Sequence, residues 1–279
     1  MVVVAALYFV FFRDTSPASV DSVEGADARQ QAIDERAAGG DDDDSTESTT
    51  AEAPTNDVAD DDAAQDSTGD EAALDTGQPD ANASVGSATD GVWMVDTSFG
   101  TFSQDCLTEA CGTTFAGFRI DEELAGFGAK TVVGRTPDVS GSMEIVGSQV
   151  IGAEFIVDMT TLITDSGPRT SALRASNGGL ETDTFPEARF ELNQPIELGS
   201  VPAEGAAIDV QAVGNLTVHG VTNEVTIPLT AEVQAGVITV FGNLEGMLLA
   251  DYDIPKPTAA AVVSVEDNAI MELQLFLTR

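Results

Sequence analysis

The sequence predicts an all-β domain, a barrel or a sandwich, over residues 91–279. Three observations predict it. Apolar residues recur at every second position in several runs. The runs are short and separated by Gly, Asp, Asn and Pro. Helical spacing is confined to a short stretch around residues 169–174. Many strands with one apolar and one polar face close most simply as a barrel or a sandwich.

The chain opens on "MVVVAALYFVFFRD", in which eleven apolar residues, 2–12, precede Arg13. As a helix they rise about 16 Å, whereas a bilayer core needs roughly 30 Å. A signal-peptide core would need a basic leader and a small-residue cleavage site, which are missing. A buried element would need something to pack on. The expectation is therefore a truncated transmembrane anchor over residues 1–13, making the protein single-pass. Residues 14–90 are rich in Asp, Glu, Ala, Ser, Thr and Gly. Too little apolar surface is available there to offset ordering entropy, so the stretch reads as a disordered acidic linker that extends by self-repulsion.

From residue 91 the strand signals begin. Cys106 and Cys111 stand in "QDCLTEACGTT", a C-x4-C spacing that on an extracytoplasmic domain reads as a short-loop disulfide. Strand candidates follow in "TTFAGFRID", "VSGSMEIV" and "VIGAEFIVDMTTLIT". The last places Ile151, Ala153, Phe155, Val157, Met159, Thr161 and Ile163 on one face. "ARFELN" carries Phe190 and Leu192. "IDVQAVGNLTV" aligns Ile208, Val210, Ala212, Gly214, Leu216 and Val218, and "EVTIPLTAEV" aligns Val225, Ile227, Leu229, Ala231 and Val233. "VITVFGNLEGML" and "IMELQLFLTR" complete about eight strands, the last aligning Met271, Leu273, Leu275 and Leu277. Ala153, Ala212 and Gly214 are small inward positions that leave room for a cavity.

His219, the one histidine, follows Val218 out of phase with the apolar face. It reads as a strand-end residue whose ring nitrogens tie down a turn. The alternative, a base or metal ligand, has no second His or nearby Cys beside it. Pro228 removes a ladder donor, so its strand should be an edge, a bulge or a seam.

The formal net charge is −37. Residues 1–90 hold 22 acidic and 3 basic side chains, and residues 91–279 hold 26 and 8. Both parts are acidic, which argues against nucleic acid, whose phosphates call for Lys and Arg. The folded part would also be repelled by anionic lipid headgroups. No nucleophile–base pair, paired carboxylates or phosphate loop is visible, so no catalytic residue is assigned and the chain reads as a non-enzyme. The acidic "EEL" at 122–124 reads as a solvated face.

At "GNLTVHGVTNEVTIPL" the sequence resembles the YceI-like family, which carries G-x-L-T-x-H-G-V-T. Gly214, Leu216, Thr217, His219, Gly220, Val221 and Thr222 match. "GVWMVD", "VVGRTPDVSGSMEIVG", "VDMTTLITDSGPRTSAL", "LETDTFPEARFEL" and the C-terminal "ADYDIPKPTAAAVVSVEDNAIMELQLFLTR" resemble further family blocks in order. The likeness spans residues 91–279. There are departures. The family's Arg-Asp pair is Arg169-Thr170 here, its Ser in S-x-x-T is Thr161, and "TSFGTF" replaces a His-Ser pair after Asp96.

The resemblance implies an antiparallel eight-stranded lipocalin-like barrel that holds an isoprenoid lipid, a polyprenyl or quinone tail, with no catalysis and no cofactor. The expected lining is Phe155, Val157, Phe190, Leu192, Val210, Leu216, Ile227, Leu229, Leu273 and Leu275. Arg169 and Arg174 are the candidate headgroup contacts. The expected setting is the cell membrane, with the barrel on the extracytoplasmic side. The alternative is a ligand-free barrel serving as a surface interaction or structural module.

Overall fold

The computed structural model describes residues 16–39, 89–126, 128–175, 179–199, 204–257 and 262–279. Its strands are β1 (Gly91–Val95), β2 (Phe115–Leu124), β3 (Gly128–Thr136), β4 (Val139–Val146), β5 (Gln149–Asp158), β6 (Ile163–Thr164), β7 (Glu187–Leu192), β8 (Ile196–Glu197), β9 (Ala207–Val218), β10 (Val221–Gln234), β11 (Val237–Leu248), β12 (Val262–Val265) and β13 (Asn268–Thr278). Among the described residues two helices accompany them, α1 (Val23–Gly39) and α2 (Gly167–Arg174). Eight strands form a closed antiparallel ring, β1–β4–β5–β7–β9–β10–β11–β13 and back to β1. Closure is made by Met94↔Thr278 and Val95↔Leu277. The barrel expectation holds.

Alternation explains the interior. Odd residues of β13 point inward: Leu275 and Leu277 join Trp93, Met143, Ile145, Ile238 and Val240 in one cluster. Leu216, Val218 and Ala188 form a second cluster with Leu249, Tyr252 and Ile254. The strand expected from residue 151 to 163 stops at Asp158, whose carboxylate accepts from the Thr160 backbone N–H at 2.8 Å and starts a 3-10 turn over Met159–Thr161. Pro228 lies one residue before the β10–β11 ladder, which begins at Leu229↔Gly242. That is a seam position.

The even face of β13 departs from the expected pattern. Glu272, Gln274 and Phe276 lie on the outer wall, yet all are buried. They are covered by residues 16–39 and by the loop between β1 and β2. Phe276 stacks on Phe99 at 4.7 Å and packs with Ala32, Ile33 and Val237. Val20, Phe115 and Phe241 form a neighbouring cluster. Glu272 accepts from Arg119 at 2.8 Å and from Arg135 at 2.7 Å. Arg119 also donates to the carbonyls of Pro17 and Ala18, at 2.6 and 2.9 Å.

The expectation of a disordered linker from residue 14 is thus corrected for residues 16–39, while residues 40–88 lie outside the described residues. The α1 sequence is rich in Ala, Gln, Glu and Arg, all good helix formers. Ser22 Oγ accepts from the Gly25 N–H at 3.1 Å as an N-cap. Gly25, Arg29, Ala32 and Ile33 make one buried stripe at helical spacing. Gly112 is needed opposite, because a Cβ there would come within 2.1 Å of the Ala28 carbonyl oxygen.

Cys106 and Cys111 are joined by a disulfide, as expected. The loop it closes supplies carbonyl acceptors to the buried wall. Arg135 donates to Cys106, and Gln274 Nε2 donates to Cys111 at 2.7 Å.

Candidate functional site

The barrel holds a cavity of about 520 Å³. That lies within the usual range of small-molecule sites, about 300–1,000 Å³. Residues of the ring strands and of β2 make most of its wall. Of the expected lining, Phe155, Val157, Phe190, Leu216, Ile227, Leu229, Leu273 and Leu275 face it. Phe118, Ile120, Val132, Met247, Ala269 and Met271 extend the same surface. At one end α2 contributes Pro168, Arg169, Ala172 and Leu173, β12 contributes Val262 and Val265, and Leu180, Ile254 and Pro257 complete the rim.

Two expected lining residues fall elsewhere. Leu192 packs against the cluster around Trp93. Val210 lines a separate depression with Gln194, Pro195 and Ile196. Both have the right phase, but phase fixes only the side of the wall, not the height along the barrel. The small residues chosen for cavity room are also corrected. A Cβ on Gly214 would lie 2.5 Å from the Phe190 ring, so that ring already fills its space. Small residues bordering the cavity include Ala116, Gly117, Ala172, Gly179, Ala188 and Ala269.

The polar end of the cavity was only partly legible. Arg169 lines it, whereas Arg174, five residues later on α2, does not. The Arg169 guanidinium is shared by two carboxylates, Glu122 on β2 and Asp165, and Asp165 also pairs with Lys130. Glu122 is only 7% exposed, which corrects the reading of "EEL" as a solvated face. Glu123 is exposed, but Glu122 follows Phe118 and Ile120 at intervals of two and so turns inward. That phase was visible in the sequence.

His219 stands apart from the cavity lining. It occupies the β9–β10 turn with Gly220, at φ of 53° and 76°. Positive φ at both central residues marks a type I′ hairpin turn. Its ring packs on Phe185 at 4.1 Å, and Nδ1 lies 3.2 Å from the Tyr252 carbonyl oxygen. Among the described residues no group of His, Cys, Asp and Glu could hold a metal ion. The turn-tying role fits these contacts. His219→Gln is expected to lower stability by about 1 kcal/mol, the worth of one hydrogen bond and some ring packing. A urea midpoint would measure that, and lipid occupancy should not change. Lost occupancy with an unchanged midpoint would overturn the structural role.

A family model described as the YceI-like domain matches residues 93–275. No curated protein gives a significant match. The chain is similar to a solved polyisoprenoid-binding domain from Saccharophagus degradans implicated in plant cell wall breakdown, at 18% identity and TM-score 0.45, covering 59% of this chain and 97% of that one. Burkholderia cenocepacia BcnA gives 16%, 0.45, 58% and 95% on the same measures. A Campylobacter jejuni YceI protein gives 14%, 0.42, 51% and 82%.

Proposed function

The chain belongs to the YceI-like family, and from that premise we propose that its barrel takes up the apolar tail of an isoprenoid-type lipid and performs no chemistry on it. The observation that carries the proposal is the cavity of about 520 Å³ with an almost wholly aliphatic and aromatic wall. An extended hydrocarbon tail leaving water for such a wall gains about 25 cal/mol per Å² of apolar surface removed. A plugged barrel would offer no such gain. Among the described residues no arrangement of nucleophile and base faces the space, which supports binding rather than catalysis. The Arg169 guanidinium is the expected headgroup contact that does reach the cavity.

The proposed setting is extracytoplasmic and membrane-tethered through residues 1–13. Those residues lie outside the described ones, and among the described residues no helix is long and apolar enough to cross a membrane. The Cys106–Cys111 disulfide supports an oxidising compartment.

The test is direct. The full chain is purified from a membrane-containing host, extracted with organic solvent and analysed by mass spectrometry. A co-purifying isoprenoid at close to one per barrel is the expected result. Repeatedly empty extracts, together with no uptake of added prenols or quinones, would favour the ligand-free module.

A further inference from the structure

We propose that this cavity selects isoprenoids with an uncharged polar head, a hydroxyl or a carbonyl, and discriminates against phosphorylated ones. The inference rests on the isoprenoid reading above and narrows it. Its basis is the charge arithmetic at the polar end. Arg169 and Lys130 bring two positive charges, and Glu122 and Asp165 bring two negative ones. The cluster sums to zero, and both terminal nitrogens of Arg169 are committed to carboxylates.

A phosphate needs uncommitted cations. To gain Arg169 it would have either to break the pair with Glu122, leaving that carboxylate buried and unpaired, or to accept a remaining N–H and set its own charge beside two anions. Both consequences are unfavourable. Arg174 forms no ion pair among the described residues, but it lies off the cavity wall. An alcohol head meets the opposite situation. Its O–H can donate to Glu122, and a carboxylate acceptor strengthens that bond. A quinone carbonyl can accept from Arg169 without disturbing the charge balance.

The experiment uses the full chain and a matched ligand set of geranylgeraniol, geranylgeranyl monophosphate and geranylgeranyl diphosphate. Affinities are measured by calorimetry at fixed ionic strength. The alcohol should bind at least about tenfold more tightly than either phosphate, a factor worth about 1.4 kcal/mol. Glu122→Gln keeps the side-chain shape and gives the cluster a net positive charge. It should narrow or reverse the preference. Asp165→Asn, at a more exposed position, should act in the same direction and guards against a folding defect in the first variant. Equal binding of alcohol and phosphates, or tighter phosphate binding by the unaltered chain, would overturn head selection while leaving the isoprenoid reading intact. If none of the three ligands binds, the isoprenoid reading itself falls, and head selection falls with it.

Discussion

Glu272→Ala is expected to destabilise the fold by about 3–5 kcal/mol, the penalty for breaking a buried ion pair by removing one partner. Glu272 is fully buried, and its two oxygens are each taken by a guanidinium Nε, from Arg119 at 2.8 Å and Arg135 at 2.7 Å. Arg135 is 1% exposed. Burial pulls its guanidinium below the ordinary range, and the charge of Glu272 opposes that. Without Glu272, Arg135 would keep the Cys106 carbonyl and the face of Phe115, but no anion. Arg119 would keep only the two carbonyls of the N-terminal segment. Urea unfolding near neutral pH would measure the loss. Glu272→Gln should cost less, because one acceptor oxygen remains. A loss below about 1 kcal/mol for the alanine variant would show that water replaces the carboxylate easily and that the wall is not sealed.

The ring and most of its lining could be read from alternation because a strand has only two faces. Leu216, Ile227, Leu229, Leu273 and Leu275 fell on the correct face for that reason. Alternation failed where a polar residue kept the inward phase, as at Glu122, and where both faces were covered, as on β13. Along β13 the sequence still held a sign. Phe276 sits among Glu272 and Gln274 on the supposedly wet face, where an aromatic ring needs a cover. Composition averaged over residues 14–90 conceals the cover. That average hid a stripe of Gly25, Arg29, Ala32 and Ile33 at helical spacing. Arg29 is the least legible of these. It is buried among partners far away in sequence, donating to the Val20 carbonyl at 2.5 Å and to Gln274 at 3.2 Å, with its guanidinium 3.6 Å from the Phe241 ring. No local pattern announces a contact between positions 29 and 274. The height of a residue along the barrel, which removed Leu192 and Val210 from the cavity, depends on strand stagger and is equally invisible to periodicity.

The same outer cover leads to the second large effect. A chain that begins at residue 89 contains every described strand, yet it should be severely destabilised. Removing residues 16–39 uncovers Phe276 and Phe241 and deletes Val20, Ala32 and Ile33 from their clusters. Each large apolar side chain returned to water costs about 1.5–3 kcal/mol. The deletion also strips Arg119 and Gln274 of buried partners. Losses of this kind approach the whole stability of an ordinary domain, about 5–15 kcal/mol. The expected result is an aggregated product, or a folded one with a far lower urea midpoint, partly rescued by a synthetic peptide of residues 16–39 added in trans. Ile33→Asp in the full chain tests the same contact without truncation, because it sets a charge against Phe99 and Phe276. An 89–279 chain with the midpoint of the full protein would show that the segment merely rests on the barrel. Rescue by the peptide would establish the opposite: a stretch whose composition reads as spacer is part of the barrel wall.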